Sequence, residues 1–594
     1  MLRFGILLFL SFSAWPAGQR WTADDLWEQH TPFDPQISPD GQQVVYLESW
    51  NDRSANAACS NLWLVTIRNP QPRRLTSGAW QDRSPRWSPD GARLAWISGR
   101  GAIHLMTLSS GEQTVIDASA LSLAWSPDGR SIAFTTSLPV PAPVPAWAPA
   151  AILPWLWPRP ASRTSLRLVP ATGGNPETIS APDFDALGEP AWMPDGKSLL
   201  IASSDGEIYS FRRADRTARR AIPESGRKEH PLPAPDGSKI AWLSYDAKPA
   251  SYSVRKLFVM NADGSRVKPL AGALDRDPSN PHWSSDSRTI YFTADESGST
   301  HIYASRADST LRQVTKGVER LEGFSLADNG HAVTVRSTDR TVEVVSFAVD
   351  LPPHPVVLAA PMEKQFAAHE MATVEEIQFP SGAKTIQSWL VRPAGFDASR
   401  QYPLLLDIAD SPRRMFGPEF SLRAQIFAAR GWMVLQVNPR GTPGFGEQFG
   451  RILPSDYPGD DAADLLASVD YIVAKGGVDP KRLAISGGLL AAWIVGHTDR
   501  FTSVIARHAI VNLLLDADNL PWMDTAQMGS HSPLAFAAQW KTPMLVLASA
   551  VDPQSDELVA ILRQRGVEWW MVRLPDDSPS TQVLEWETML AWLR

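Results

Sequence analysis

Ser486 is the serine whose sequence surroundings best fit a catalytic nucleophile. It stands in the string Ala-Ile-Ser-Gly-Gly over residues 484–488, at the end of a predicted buried strand and directly before a predicted helix. A serine at a sharp strand-to-helix turn can perform acyl transfer when a histidine accepts its proton and an acid orients that histidine. In proteins of this design the histidine comes last, yet the last histidine here is His531, and residues 532–594 contain none. The sequence therefore predicts that covalent serine chemistry lacks its base.

The elements that would hold such a site lie after residue 350. Apolar runs that suit short buried strands occur at 404–408, 433–437, 483–486, 544–548 and 569–574, with helical patterns between them. The clearest helix is predicted over 461–475, where apolar residues recur on one face and Gly476 can end the helix. Because strands that alternate with helices build a mainly parallel sheet, residues 351–594 are predicted to form an α/β domain.

Seven copies of one turn precede this domain. They are Ser-Pro-Asp-Gly at 38–41, 88–91 and 126–129, Met-Pro-Asp-Gly at 193–196, Ala-Pro-Asp-Gly at 234–237, Ser-Ser-Asp-Ser at 284–287 and Leu-Ala-Asp-Asn-Gly at 326–330. Proline, aspartate and glycine favour a tight turn, and an apolar, β-prone run follows each copy. From Asp40 to Asp328 the mean spacing is 48 residues, about the length of one four-stranded propeller blade. These repeats predict an all-β, seven-bladed β-propeller over residues 33–350.

One interval between turns is longer than the others. It contains residues 138–162, which are rich in Pro, Ala and Trp and almost free of charge. This composition predicts an insertion with polyproline character. Two interpretations stay open: a rim that docks on the second domain or lines an opening, and a loop that packs on its own blade.

Residues 1–18 have the pattern of a secretory signal peptide. Arg3 supplies a positive charge, residues 4–12 are apolar but too few to span a bilayer, and small residues follow. Residues 19–32 form an N-terminal segment before the propeller. No later stretch is apolar enough to span a membrane, so we expect a periplasmic or secreted protein with no membrane contact after signal cleavage.

Composition excludes several other functions. The chain has 56 Lys and Arg against 64 Asp and Glu, a net charge of −8, which provides no basic field for nucleic acid. A single cysteine, Cys59, excludes an internal disulfide and any cysteine-based metal cluster. No metal-ligand pattern is visible in the sequence, so neither a metal nor a cofactor is predicted.

Several longer strings point to a family. They are Asp-Pro-Gln-Ile-Ser-Pro-Asp-Gly at 34–41, Asn-Pro-Arg-Gly at 438–441, Val-Asp-Pro-Lys-Arg-Leu-Ala-Ile at 478–485, Trp-Ile-Val-Gly-His-Thr-Asp-Arg-Phe at 493–501, Ser-Pro-Leu at 532–534 and Lys-Thr-Pro at 541–543. With these strings, nearly the whole mature chain resembles the prolyl oligopeptidase (S9) family of serine peptidases, in its acylaminoacyl-peptidase and dipeptidyl-peptidase-like branches. The resemblance implies that residues 351–594 form an α/β-hydrolase domain, which the propeller caps so that only short peptides gain access.

The resemblance also implies where the catalytic groups should be. The family places its serine in a Gly-Gly-Ser-x-Gly-Gly turn, but here the glycine pair 487–488 is followed directly by Leu489, as if about four residues were deleted. Asp552 matches the family's acid. Pro579 stands in the turn that should carry the histidine. Loss of nucleophile and base together costs about 10⁶ in rate.

The oxyanion loop departs from the family as well. Members of this branch carry His-Gly-Gly-Pro after the first hydrolase strand, where this chain has Ala-Asp-Ser-Pro at 409–412, so that Asp410 and Ser411 replace the glycines. Losing one oxyanion donor costs about 3 kcal/mol of transition-state stabilisation. A carboxylate close to the developing negative charge would add repulsion.

The sequence therefore favours an exported family member that is catalytically inactive and has no intact catalytic residue. Such a scaffold could bind short peptides in its central cavity, or could assemble with an active family relative through the hydrolase domain. The alternative is an active serine-type peptidase or esterase that uses Ser486, Asp552 and a histidine from another loop. His497, His508 and His531 are the nearest histidines in sequence, and each is interpreted as structural. A third hypothesis is an enzyme of another class that uses the cavity.

Overall fold

The computed structural model describes residues 18–139, 162–181, 183–214, 216–246, 252–306, 310–350, 354–409, 414–451 and 456–593. The predicted signal peptide at 1–18 and the predicted insertion at 138–162 lie almost entirely outside the described residues, and both stay predictions. Within the described ranges, no helix has the length and hydropathy needed to cross a membrane.

Seven antiparallel sheets of four consecutive strands form the N-terminal part, which confirms the predicted seven-bladed β-propeller. The strands of the first four blades are β1 (Thr31–Ile37), β2 (Gln43–Asp52), β3 (Ala57–Thr66), β4 (Arg73–Arg74), β5 (Asp82–Trp87), β6 (Arg93–Ser98), β7 (Ala102–Thr107), β8 (Gln113–Ile116), β9 (Ala120–Trp125), β10 (Ser131–Pro139), β11 (Ser162–Pro170), β12 (Glu177–Thr178), β13 (Ala186–Trp192), β14 (Ser198–Ser203), β15 (Ile208–Arg212) and β16 (Ala218–Arg220). Those of the last three are β17 (Arg227–Pro233), β18 (Lys239–Tyr245), β19 (Lys256–Asn261), β20 (Lys268–Leu270), β21 (Pro278–Trp283), β22 (Thr289–Glu296), β23 (Ser299–Arg306), β24 (Leu311–Gln313), β25 (Arg320–Leu326), β26 (His331–Ser337), β27 (Val342–Ala348) and β28 (Val356–Ala359). Because β28 completes the last blade, the propeller extends past the predicted limit at residue 350.

The repeated turn joins the first and second strands of each blade. In the first copy the Ser38 hydroxyl donates to Asp40 Oδ1 over 2.6 Å, and the same oxygen accepts from the Gln42 amide over 3.1 Å. The Gly41 amide closes the turn by donating to the Ser38 carbonyl, and its φ of +69° is one that glycine adopts without strain. The turn chemistry inferred from sequence is therefore the chemistry that the fold uses.

Tryptophans that directly precede these turns connect neighbouring blades. The indole N–H groups of Trp87, Trp125 and Trp283 donate to backbone carbonyls of the preceding blade over 2.9, 3.1 and 3.0 Å. A large apolar ring whose one polar atom is satisfied suits this mostly buried position. Part of the high tryptophan content thus follows from blade-to-blade packing.

The C-terminal part is built on one eight-stranded sheet in the order β29-β30-β32-β31-β33-β34-β35-β36. Its strands are β29 (Thr373–Ser381), β30 (Lys384–Arg392), β31 (Tyr402–Asp407), β32 (Met433–Asn438), β33 (Val478–Gly487), β34 (Ser503–Arg507), β35 (Met544–Ser549) and β36 (Trp569–Leu574). The helices are α1 (Glu363–Ala368), α2 (Leu422–Ala429), α3 (Glu447–Gly450), α4 (Asp460–Lys475), α5 (Leu489–Ile494), α6 (Thr525–His531), α7 (Pro553–Arg565) and α8 (Pro579–Trp592), with 3-10 helices at Ala23–Glu28, Leu513–Asn519 and Pro533–Gln539. From β32 to β36 in the sheet order all pairs are parallel, and the predicted α/β-hydrolase fold is confirmed.

The N-terminal segment packs on this second domain. The Gln19 amide donates to the Ala368 carbonyl over 2.9 Å, and the Trp21 ring is fully buried and stacks on His369 with centroids 4.0 Å apart. Trp21 belongs to the apolar core on the face of the sheet that α2 and α8 cover, whereas α4 and α5 lie against the core on the opposite face. Residues 19–26 of this segment are therefore part of the hydrolase domain's packing, whereas Thr31 and Pro32 already belong to strand β1 of the propeller.

Candidate functional site

A cavity of about 260 Å³ lies at the carboxyl ends of the parallel strands. It is lined by residues that follow β31, β32, β33 and β34, including Ala409, Pro439, Leu489 and His508. In open α/β sheets, ligands bind in this position. A second cavity, which lies against Asp275 of the propeller, shares the wall residues Arg440 and Asp461 with the first.

Ser486 lies within β33 and not on a turn. It is paired with Asp407 on one side and Ile505 on the other, and it is fully buried. Its hydroxyl accepts a hydrogen bond from Arg507 Nε over 3.0 Å. No described imidazole is within hydrogen-bond distance of this hydroxyl, so a proton acceptor is missing where the alternative mechanism requires one.

A buried ionic network surrounds this serine. Besides Ser486, Arg507 donates through Nη2 to the Ile408 carbonyl at 3.0 Å and lies 3.4 Å from Asp407 Oδ1. Asp407 also accepts from Arg423 over 2.9 Å and from Gln436 over 3.1 Å. Burial acts to raise the pKa of Asp407, but the two guanidinium groups outweigh it and hold the pKa below its ordinary value. The network fixes Ser486 as a structural hydroxyl.

The strand-to-helix turn has lost the shape of a nucleophile elbow. Helix α5 begins at Leu489, directly after the glycine pair, and no residue from Gly487 to Ile494 has a positive φ. A Cβ added to Gly487 would lie 3.0 Å from Ile408 Cβ, so these strand ends approach each other closely. Leu489 presents an apolar side chain to the cavity where the family pattern would place its serine region.

Pro579, Asp410 and Ser411 are the other three positions at which the chain departs from the family's catalytic pattern. Pro579 is the first residue of α8 and is buried. The turn before it is held by Asp576, which accepts from the Ser578 amide over 3.0 Å and from the Thr581 hydroxyl over 2.8 Å. Asp410 and Ser411, the replacements in the oxyanion loop, lie outside the described residues, so their departure from the family pattern stays a sequence-based prediction.

Asp552 caps a helix. Its carboxylate accepts from the Ser555 amide over 3.1 Å and from the Ser555 hydroxyl over 2.7 Å at the start of α7. It follows β35, which is two strands away from Ser486 in the sheet. Among the described residues no histidine ring contacts Asp552, so the sheet does not join Ser486, Asp552 and an imidazole into one relay.

None of the three histidines considered above lies near Ser486 and Asp552 as a proton relay would require. The His497 ring stacks on Trp493 at 3.7 Å. His508 is exposed at the cavity edge, and its ring has no hydrogen-bond partner in the described part of the chain. His531 Nδ1 is 3.1 Å from the Ser530 hydroxyl, but that hydroxyl also bonds backbone carbonyls within α6. A serine near the end of a helix, with its hydroxyl bonded within that helix, lacks the sharp turn and the free amide donors that acyl transfer needs.

Sequence reasoning missed the polar residues that give the cavity its character. These are Tyr457, Asp461, Arg507 and Asp516. An arginine at the end of the otherwise apolar strand at 503–507 was the one signal that could have indicated a buried ion pair. Across the described ranges, no group of His, Cys, Asp or Glu has an arrangement that could hold a metal ion.

Comparison with known proteins supports the resemblance to the prolyl oligopeptidase family that the sequence motifs indicated. Residues 418–594 match the model of the prolyl oligopeptidase family. The chain is 27% identical to the uncharacterized peptidase YuxL of Bacillus subtilis, with 94% of this chain and 95% of the relative covered. It is 23% identical to dipeptidyl-peptidase 5 of Porphyromonas gingivalis, with 94% and 92% covered.

A solved structure shares the fold over almost the whole chain. It is an acylaminoacyl peptidase in complex with Z-Gly-Gly-Phe-chloromethyl ketone, with a TM-score of 0.81, 18% identity and 96% of each chain covered. Together with the family match, this confirms the resemblance inferred from sequence. The protein has the fold of a propeller-capped α/β-hydrolase, and it is a homologue of peptidases of the prolyl oligopeptidase (S9) family, whose model its residues 418–594 match.

Proposed function

We propose that this chain is a catalytically inactive S9 homologue that binds short peptides in the cavity at the carboxyl edge of the sheet without cleaving them. The supporting observation is the state of Ser486, whose buried hydroxyl bonds Arg507 and meets no imidazole among the described residues. The absence of any histidine after His531 agrees with it. The propeller and the sheet are both present, and the cavity lies at the sheet edge beside a serine that no described histidine contacts.

Reaction with a fluorophosphonate probe tests the absence of covalent chemistry. We expect no labelling of the purified protein above the level of its Ser486→Ala variant, because a serine with no base and a buried hydroxyl is not activated. An active serine peptidase labelled in parallel serves as the positive control. Labelling of the wild type that disappears in Ser486→Ala would establish the alternative, an active peptidase that uses Ser486 with Asp552.

We propose in addition that the protein is exported after removal of a signal peptide. The proposal rests on the sequence pattern at 1–18 and predicts where cleavage can occur. Because Trp21 is fully buried and Gln19 bonds the Ala368 backbone, a mature chain that keeps this packing begins at or before Gln19. N-terminal sequencing of the protein from the native host checks this, and a start beyond Trp21 contradicts it.

The β36 edge of the hydrolase sheet offers a surface for association with another chain. In the described part of the chain β36 is the last strand of the sheet, and Trp570 on it is 63% exposed. Edge strands carry unpaired backbone groups that can pair with another chain. We propose that the hydrolase domain associates through β36 with a second copy or with an active family relative. Sedimentation of the wild type should show a mass above 65.2 kDa that Trp570→Glu reduces to the monomer, and an unchanged sedimentation coefficient contradicts the proposal.

A further inference from the structure

One wall of the 260 Å³ cavity contains a buried phenol without a partner. The Tyr457 side chain is only 7% exposed, and its ring packs edge-on against Trp522 with centroids 5.5 Å apart. Its hydroxyl makes no hydrogen bond with any described residue, although Tyr457 lines the cavity. Burial and the nearby charges of Asp461 and Asp516 raise the pKa of Tyr457 above its ordinary value, so the phenol stays neutral. The ring is buried, but the hydroxyl oxygen keeps access to the cavity, where a ligand could form a hydrogen bond with it.

Two carboxylates lie in the same wall. Asp461 is 4% exposed, and its Oδ1 accepts from the Gly459 and Ala462 amides over 2.8 and 2.9 Å. Asp516 accepts from the Asn519 amide group over 2.7 Å. Neither carboxylate forms an ion pair with a described residue. Asp461 is buried and Asp516 is half-buried. Because an unpaired carboxylate charge held away from bulk water is costly, a cationic ligand would stabilise the ionised form of these groups.

The arginines of the wall are already engaged. Arg440 donates to Asp464 over 2.7 and 2.9 Å and also pairs with Asp460. Arg507 is committed to the network around Asp407. The remaining cationic residue, Arg414, is exposed. Asp461 and Asp516 therefore have no ion-pair partner among the described residues, whereas Arg440 and Arg507 do.

The rest of the wall is apolar. Leu489, Leu513 and Leu520 belong to one buried cluster with Tyr457, and Ile510 packs against that cluster. A volume of about 260 Å³ is slightly below the usual range of about 300–1,000 Å³ for small-molecule sites. The cavity therefore suits one long side chain, with an aliphatic stem along the leucines and a polar end at the carboxylates.

We infer that this cavity is a recognition site for a basic side chain, of the lysine or arginine type, with Asp461 and Asp516 facing the cation and Tyr457 adding a hydrogen bond. The inference deepens the proposed function, on which it rests, by naming the peptides that the scaffold selects. The aliphatic stem would lie against Leu489 and Leu513.

Binding of matched probes tests this inference. The first probe is Nα-acetyl-lysine amide, whose side-chain amine is free and charged. The other two are Nα-acetyl-norleucine amide, which has no side-chain charge, and norleucine amide, which has a free α-amine. Each is titrated at pH 8 by calorimetry. We expect the lysine probe to bind at least about tenfold more tightly than acetyl-norleucine amide, since bonds to charged groups have this magnitude. Asp461→Asn and Asp516→Asn should each reduce that preference about fivefold or more. Asp518 is exposed and lies on the same 3-10 helix as Asp516, so Asp518→Asn should leave the preference for the lysine probe unchanged.

Each other outcome has a defined meaning. Equal binding of the lysine and acetyl-norleucine probes overturns the inference but leaves the inactive scaffold standing. Tight binding of norleucine amide alone overturns it in favour of α-amine recognition. Labelling by fluorophosphonate that depends on Ser486 refutes the proposed function independently of which probe binds. If Asp461→Asn does not fold, the partly exposed Asp516→Asn decides, and an unchanged lysine preference in that variant overturns the inference.

Discussion

Arg507→Met is expected to lower the unfolding free energy of the hydrolase domain by about 3 kcal/mol. The Arg507 side chain is 3% exposed and connects Ser486, the Ile408 carbonyl and Asp407. Methionine fills a similar volume but leaves the hydroxyl and the carbonyl without this donor, and it leaves Asp407 with Arg423 as its remaining described cation. Urea unfolding followed by circular dichroism, compared at the midpoint of the hydrolase transition, measures the loss.

Two controls make this expectation specific. Arg482 lies on the neighbouring strand β33 and is exposed, so Arg482→Met should change stability by less than about 0.5 kcal/mol. In a double-mutant cycle, Arg507→Met combined with Asp407→Asn should cost clearly less than the sum of the two single changes, because both remove the same interaction. Additive costs would mean that the pair does not couple and that Arg507 acts only by filling space.

The propeller could be predicted because its signal is local and repeated. Each turn carries its own proline, aspartate and glycine, and the structure uses the bonds that those residues favour, as between Ser38 and Asp40. The predicted helix at 461–475 matches α4 to within one residue. The antiparallel β29 and β30 and the short β34 were missed, since none of these strands contains a long apolar run.

The cavity could not be predicted because its parts are distant in sequence. Arg507 pairs with an aspartate 100 residues earlier, and arginine is ordinarily exposed. A carboxylate at the start of a helix is common on surfaces, where it favours the helix dipole, so the position of Asp461 gives no sign that it lines a cavity. The missing base is different, because counting histidines in the sequence needs no geometry. The sequence therefore shows that no histidine follows His531, but it does not show the contacts that hold Ser486 and Asp461.

Asp461→Asn is expected to stabilise the protein, by an amount that grows with pH. Burial is the main cause that raises the pKa of Asp461, to about 7, and the charges of Asp456 and Asp464 add to it. The Gly459 and Ala462 amides oppose the rise, and Asp516 and Arg440 line the same cavity. Asparagine stays neutral at every pH and keeps an oxygen that can accept both amide bonds.

The direction of this pH dependence follows from the number of protons that the folded and unfolded states bind. Between the ordinary aspartate pKa, near 4, and about 7, the folded protein keeps a proton on Asp461 that the unfolded chain has lost, so this group's contribution to stability falls as pH rises through that window. The advantage of the variant should be smallest at pH 4, grow by about 1.4 kcal/mol per pH unit towards pH 7, and reach a plateau above pH 8. A shift of roughly three units sets an upper limit of about 4 kcal/mol for that plateau.

Urea midpoints of wild type and variant at pH 5, 6, 7 and 8 measure the difference directly. Asp470→Asn serves as the matched control, because Asp470 is on the same helix but exposed and paired with Arg500 at 2.6 Å; its effect should not follow the same curve. A variant whose advantage is equal at pH 5 and pH 8 would show that Asp461 is ionised throughout in the folded protein. Its charge would then be stabilised without a ligand, and the cavity would have no unmet demand for a cation.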